Sequence, residues 1–226
     1  MKRLISLTFL AISALALTAG CSSLLAPRPD RTKFYVLTPI ANADAAQPTP
    51  PAAHQLAIGL GPVKFPDYLS HLEVVTRVSP NRVDLSTTDR WAEPLDESFR
   101  RVLALNLATL LGTDQVVPFP WYSTAKFDYR IEVTVERFER DGSGGTQLAA
   151  NWIIRGGHSD RPLLSRQSNF SESAGMAPGA ATGSSSASAA GTSMDAAAAA
   201  LSADLNDLSK QIAAAITALN SAHPQN

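Results

Sequence analysis

The chain has 226 residues, with 19 Lys and Arg against 20 Asp and Glu, a formal charge of −1 and 45% hydrophobic residues. That balance leaves no basic surplus to neutralise a phosphate backbone, which argues against nucleic acid as a partner, and a single cysteine rules out an internal disulfide. The length suffices for one sizeable core and hardly two, so one domain held by packing is expected.

Lys2 and Arg3 form a short positive n-region, Leu4 to Leu17 an apolar h-region, and Ala19-Gly20 a pair small enough for a peptidase cleft. The run of about 16 apolar or small residues is marginal for a hydrocarbon core that needs roughly 20. Residues 1–20 therefore read as a lipoprotein signal peptide. Cys21 reads as the lipidation site, acylated through sulfur and through the amino group that cleavage frees. Several acyl chains anchor far more firmly than one. The alternatives are an ordinary secretory signal with a stray cysteine and an uncleaved anchor. Cleavage removes two of the 19 basic residues, Lys2 and Arg3, and none of the 20 acids, so the mature chain is the more acidic one.

Residues 21–31 are small, polar and proline-containing, a flexible tether between lipid and body. Phe34-Tyr35-Val36-Leu37 predicts a strand ended by Pro39. Residues 40–54, rich in proline and alanine, predict a solvated loop. Leu56 to Val63 predicts a second strand, whose glycines permit close backbone approach and whose Pro62 argues for an edge or a bulge near its end. Leu72–Val78 and Arg82–Leu85, joined through Ser79-Pro80-Asn81, predict a hairpin. From Asp89 to Leu111 the period changes to that of an amphipathic helix: Leu95, Phe99, Val102, Leu103, Leu107 and Leu110 recur at helical spacing. Pro94 and the acids Glu93, Asp96 and Glu97 suit its first turn, and Gly112 its end.

From Phe127 to Glu136 every odd position is apolar and every even one polar, the pattern of a half-buried strand. Asp141 to Gly145 supplies a turn, and Leu148, Ala150, Trp152 and Ile154 alternate on the way back. Leu164 to Phe170 makes a third strand of this meander. Residues 174–193, almost entirely Ala, Gly and Ser, predict a flexible loop. After it Leu201, Leu205, Leu208, Ile212, Ile216 and Leu219 form the stripe of a second helix, which either packs on the sheet or makes a short coiled-coil seam. The fold class is α+β: a mixed, largely antiparallel sheet with a C-terminal three-strand meander and two amphipathic helices packed on it, all within a single domain over residues 32–221.

Catalytic constellations are absent from the sequence. His54, His71, His158 and His223 are scattered with no metal-ligand spacing, there is no GxSxG elbow, and Gly59-Leu60-Gly61 lacks the rest of a dinucleotide loop. Glu132 and Glu136 share the wet face of one strand, a solvated charge ladder. The chain reads as a non-enzyme without metal or cofactor, the covalent lipid on Cys21 apart. Lys64 to Leu69 places Phe65, Tyr68 and Leu69 in a loop with Pro66, where apolar bulk either meets a partner or subunit or folds back onto the core. Trp91 is either a hydrophobic staple at the helix entry or an interface anchor.

An ordered set of motifs carries a family resemblance. Cys21-Ser22-Ser23, Phe34 to Pro39, Ile58 to Leu69, Val74-Val75-Thr76-Arg77, Asp89-Arg90-Trp91-Ala92-Glu93-Pro94-Leu95, the alternating strand from Phe127, and Leu208 to Ala213 resemble the ABC-type transport auxiliary lipoproteins of the PqiC or YmbA kind. The alanine-rich insertion at 174–193 is the main departure. The resemblance implies a non-enzymatic outer-membrane lipoprotein that docks a transport system containing mammalian-cell-entry (MCE) domains, as a homo-oligomer. Ser22 following the cysteine, where inner-membrane lipoproteins have Asp, implies by likeness to Gram-negative lipoproteins an outer-membrane anchor with the body facing the periplasm. The alternative is a periplasmic lipoprotein that itself binds a lipid or small amphiphile between sheet and helices.

Overall fold

In the computed structural model, residues 30–41, 55–122, 124–157, 161–172 and 193–222 are described. Cys21, most of residues 40–54 and nearly all of residues 174–193 lie outside them. Residues 32–226 form one compact unit. Among its described residues are eight strands, β1 (Lys33–Tyr35), β2 (Ile58–Lys64), β3 (Glu73–Ser79), β4 (Arg82–Trp91), β5 (Val116–Pro118), β6 (Tyr129–Asp141), β7 (Thr146–Gly156) and β8 (Pro162–Phe170). It also holds two helices, α1 (Leu95–Leu111) and α2 (Met194–Ala222).

β6 organises the sheet. Its β-branched residues alternate with polar ones, and one of its edges pairs antiparallel with β7 along nearly its whole length. β8 follows antiparallel to β7, which completes the expected meander. The opposite edge of β6 is shared: β2 runs parallel to it over Tyr129–Thr134, and β3 runs parallel to it at Arg140–Asp141. β4 continues from β3 and β1 from β4, while β5 lies beyond β2. The longest ladders are antiparallel and the sheet is mixed, as expected.

Ile131, Val133 and Val135 of β6, with Leu148, Trp152 and Ile154 of β7, point to one face and are fully buried. Phe99, Val102, Leu103 and Leu107 of α1 cover that face together with Leu201, Leu205, Leu208, Ile212 and Ile216 of α2. α1 lies over β2 and β5, and α2 over β6, β7 and β8. The α2 stripe thus packs on the sheet. A bulge shifts the register between Val135 and Arg137, so Phe138 takes over the inward face and Glu139 turns to the other.

Several boundaries differ from the sequence reading. Asp89, Arg90 and Trp91 are not helical: they pair with Lys33, Phe34 and Tyr35, and the helix starts at Leu95, after Pro94. The hydrogen bonds of Trp91 N–H to Leu72 O and of Ala92 N–H to Tyr35 O satisfy this stretch as strand, so its apolar residues serve a sheet. The β3–β4 ladder covers Arg82–Leu85 as expected, then skips Ser86–Asp89, where the Ser86 hydroxyl accepts from Asp89 N–H, and resumes at Arg90. β5 is a further short strand the pattern did not reveal, and α2 begins seven residues before Leu201 because alanines extend it. Gly112 ends α1 in the left-handed conformation (φ 62°), as its position suggested.

Candidate interaction surfaces

The loop Phe65–Leu69 fills the notch on β6 between β2 and β3. Phe65 stands edge-on to Phe99, with centroids 5.2 Å apart, and Phe99 in turn to Phe138 at 5.3 Å. Leu69 is 2% exposed and joins the core, whereas Pro66 and Tyr68 remain half-buried. Tyr68 donates to the carbonyl of Glu136 on the bulge, at 3.3 Å. Beneath it the buried carboxylate of Glu139 pairs with Arg77 of β3, whose guanidinium sits 5.5 Å from the Tyr68 ring centroid. Burial, then the neighbouring Glu139, pushes the Tyr68 phenol up. Trp91 is 3% exposed, within the same core cluster as Leu95 and Phe99.

A second surface lies at the β5 edge. Gly59 and Gly61 of β2 leave no side chain on the sheet face away from the helices, and an aromatic cluster fills that space. A Cβ on Gly59 would stand 2.9 Å from the Phe127 ring, and one on Gly61 2.7 Å from Cβ of Phe119. Gly61 also has φ 122°, a conformation that other residues rarely adopt. Phe119, Trp121 and Phe127 stack edge to face, at 5.1 Å for each successive pair. Tyr122 beyond them is 87% exposed, and Val117 and Phe119 are partly exposed.

On the helix side of β5 a groove of about 430 Å³ has a floor of Ala104, Leu105, Ala108, Val116 and Pro118. Arg100 with Glu97 and Arg101 with Glu93 form ion pairs on its rim. The pairing with Arg101 holds the Glu93 carboxyl below its ordinary range. Gln115 O and Phe119 N–H bond to β2, so Val116 and Pro118 turn their backbone groups outward, and Pro118 has no N–H to offer. Such an edge is blunted against strand addition and suits side-chain contacts.

Comparison of the chain with known families decides its membership: residues 35–213 match the ABC-type transport auxiliary lipoprotein component. The chain belongs to this family. It is 30% identical over 136 residues to the intermembrane transport lipoprotein PqiC of Escherichia coli, covering 60% of this chain and 67% of that one, and matches PqiC of Shigella flexneri equally. Two crystal structures share the fold. One is of a Xanthomonas campestris protein, with a TM-score of 0.60 at 15% identity, covering 80% of this chain and 93% of that one. The other is of an uncharacterised protein, with a TM-score of 0.59 at 21% identity, covering 82% and 99%.

In this auxiliary lipoprotein the match begins at Tyr35 and runs to Ala213, within the compact unit of residues 32–226. Among the described residues no group of three or more His, Cys, Asp or Glu could hold a metal ion, and no helix is long and apolar enough to cross a membrane. The aromatic ledge escaped the sequence reading. Its trace was the density of rings in Pro118-Phe119-Pro120-Trp121-Tyr122, where two prolines keep any regular element short and three aromatics have no periodic face to occupy.

Proposed function

We propose that the protein is an outer-membrane lipoprotein, anchored through acylated Cys21 with its body in the periplasm, that serves as a non-enzymatic docking component of an MCE-type intermembrane transport complex. Membership of the auxiliary family and the likeness to an intermembrane transport lipoprotein support the transport role. The observation that carries docking is the ledge of Phe119, Trp121 and Tyr122: Phe119 and Trp121 are held in place by edge-to-face stacking with Phe127 over glycines, and Tyr122 stands exposed beside them. Aromatic residues set rigidly at a surface are the usual anchors of protein interfaces. Pro66 and the open edges of Phe65 and Tyr68 form a second, smaller contact, and a ring of several copies would present both repeatedly.

A photo-crosslinking residue at Tyr122 in intact envelopes tests the reading. An adduct with an MCE-domain protein is expected, with none from Thr134 on the open face of β6. The groove beside α1 favours a second reading, an amphiphile with its apolar part along Ala104, Leu105 and Ala108. Gently purified protein carrying stoichiometric lipid, with no adduct at Tyr122, would select that reading over docking.

A further inference from the structure

Phe34-Tyr35-Val36-Leu37 is a continuous apolar run, the pattern of a strand covered on both faces. The fold covers one. Tyr35 and Leu37 are 8% and 2% exposed, while Phe34 and Val36, alternating with them, are 64% and 51% exposed. β1 is also the outermost strand on its side of the sheet, paired only to Asp89–Trp91 of β4 among the described residues. Phe34 of this edge strand and Val36 just beyond it lose contact with water only if something outside the described fold takes them.

We infer that Phe34 and Val36 rest on the phospholipid leaflet that holds the anchor, so that the body lies against the membrane by its β1 side and does not hang free from its tether. The inference rests on the lipidation of Cys21 proposed above. The length of chain before β1 argues for it: the ten residues Ser22–Arg31 reach no more than roughly 35 Å even when fully extended, which keeps β1 near the leaflet. Among the described residues β1 is the first element after Cys21. The charge agrees. Arg28, Arg31 and Lys33 outnumber Asp30 in this stretch, although the mature chain as a whole is acidic, and a local basic excess favours an anionic headgroup layer. Phe34 pairs in register with Arg90, which bonds to Glu73 at 3.2 Å, so the charged row beside the patch is neutralised internally.

The test is a full-length, lipidated Phe34→Trp chain in vesicles of phosphatidylethanolamine and phosphatidylglycerol with bromine-labelled acyl chains. Trp91 and Trp152 are buried and Trp121 belongs to the far edge of the sheet, so the unsubstituted chain should keep its emission. The new tryptophan should lose most of its own, and the further change Val36→Glu should restore it. Sedimentation with the vesicles but no quenching at position 34 overturns the inference and leaves the anchor standing. A blue shift that deepens with protein density without quenching also overturns it, because a second copy then covers the patch. A chain that acquires no lipid, its mass changed by Cys21→Ser only by the exchange of sulfur for oxygen, removes the anchor and the inference together.

Discussion

Asp204 of α2 accepts a hydrogen bond of 2.7 Å from the Thr146 hydroxyl at the start of β7, with its carboxyl wholly buried. Burial pushes this acid up to about 7; the Thr146 bond works against that rise, and Glu172 and Asp207 add to it. Thr146 N–H in turn donates to the carbonyl of Glu172 at 2.8 Å, so one threonine ties the exit of β8 to the helix. Between the ordinary carboxylate value of 3.8 and about 7 the folded chain holds a proton that the unfolded chain has released. This contribution to stability is complete at the acid end and is lost as pH rises through that window, at about 1.4 kcal/mol per unit, and is level above it. Asp204→Asn keeps an acceptor for Thr146 and exchanges no proton. Its urea midpoint should exceed that of the parent near neutral pH and above, and the difference should vanish towards the acid end. Parallel profiles for the two chains would show that Asp204 is ionised in the fold.

Arg77 and Glu139 form the ion pair under the Phe65–Leu69 loop, with side-chain exposures of 20% and 1%. Arg77→Met leaves a buried carboxylate alone and should cost about 3 kcal/mol. Adding Glu139→Met should recover part of that loss, because an apolar pair of similar volume needs no desolvation. Denaturant titration of the single and double variants measures the coupling, and additive losses would mean that the pair is energetically idle.

Gly59→Ala should disturb the aromatic ledge rather than the helix layer, since the added methyl meets the Phe127 ring. A cost of about 1–3 kcal/mol is expected from overpacking, together with a changed near-ultraviolet dichroism as Trp121 loses its fixed partners. An unaltered dichroism would mean that the ledge is not seated on β2 as described.

Tyr122→Ala removes the outermost ring of the ledge without opening the core. Stability should stay within about 0.5 kcal/mol, while crosslinking of the protein into its transport complex should fall sharply. Unchanged capture would move the docking surface elsewhere on the body.

Cys21→Ser should release the protein from the membrane fraction and remove the mass of its acyl chains. Retention with unchanged mobility would refute lipid anchoring.

Much of the fold was legible wherever one face alone is buried. The alternation from Phe127 to Glu136 gave β6 its inward residues, and the Leu201–Leu219 stripe gave α2 its packed side, because burial on a single face leaves a periodic trace. The Asp89–Trp91 segment was misread as helical because the polar Asp89 and Arg90 precede an unmistakable helix, and only pairing with β1, distant in sequence, makes them strand. Three-residue β5 is too short to show any period. The parallel joining of β2 and β3 to β6 depends on contacts far along the chain, which no local pattern encodes. At the candidate sites, sequence alone identified the Phe65–Leu69 loop but not its fit into the notch on β6. The aromatic ledge went unseen because its meaning lies in two glycines some sixty residues earlier.

The shared edge of β6 also sets an order of assembly. β2, β3 and, through them, β1, β4 and β5 have no completed sheet until Tyr129–Asp141 has been made and delivered. More than half of the chain thus precedes the strand that organises it, and its early strands can pair only among themselves, as β1–β4–β3 and as β2–β5, two pieces that β6 alone joins. Distant pairings of this kind slow folding. A chain crossing a membrane amino terminus first would hold the β2 and β3 edges open through that interval, so its passage to the native state should depend on holding chaperones in the compartment that receives it.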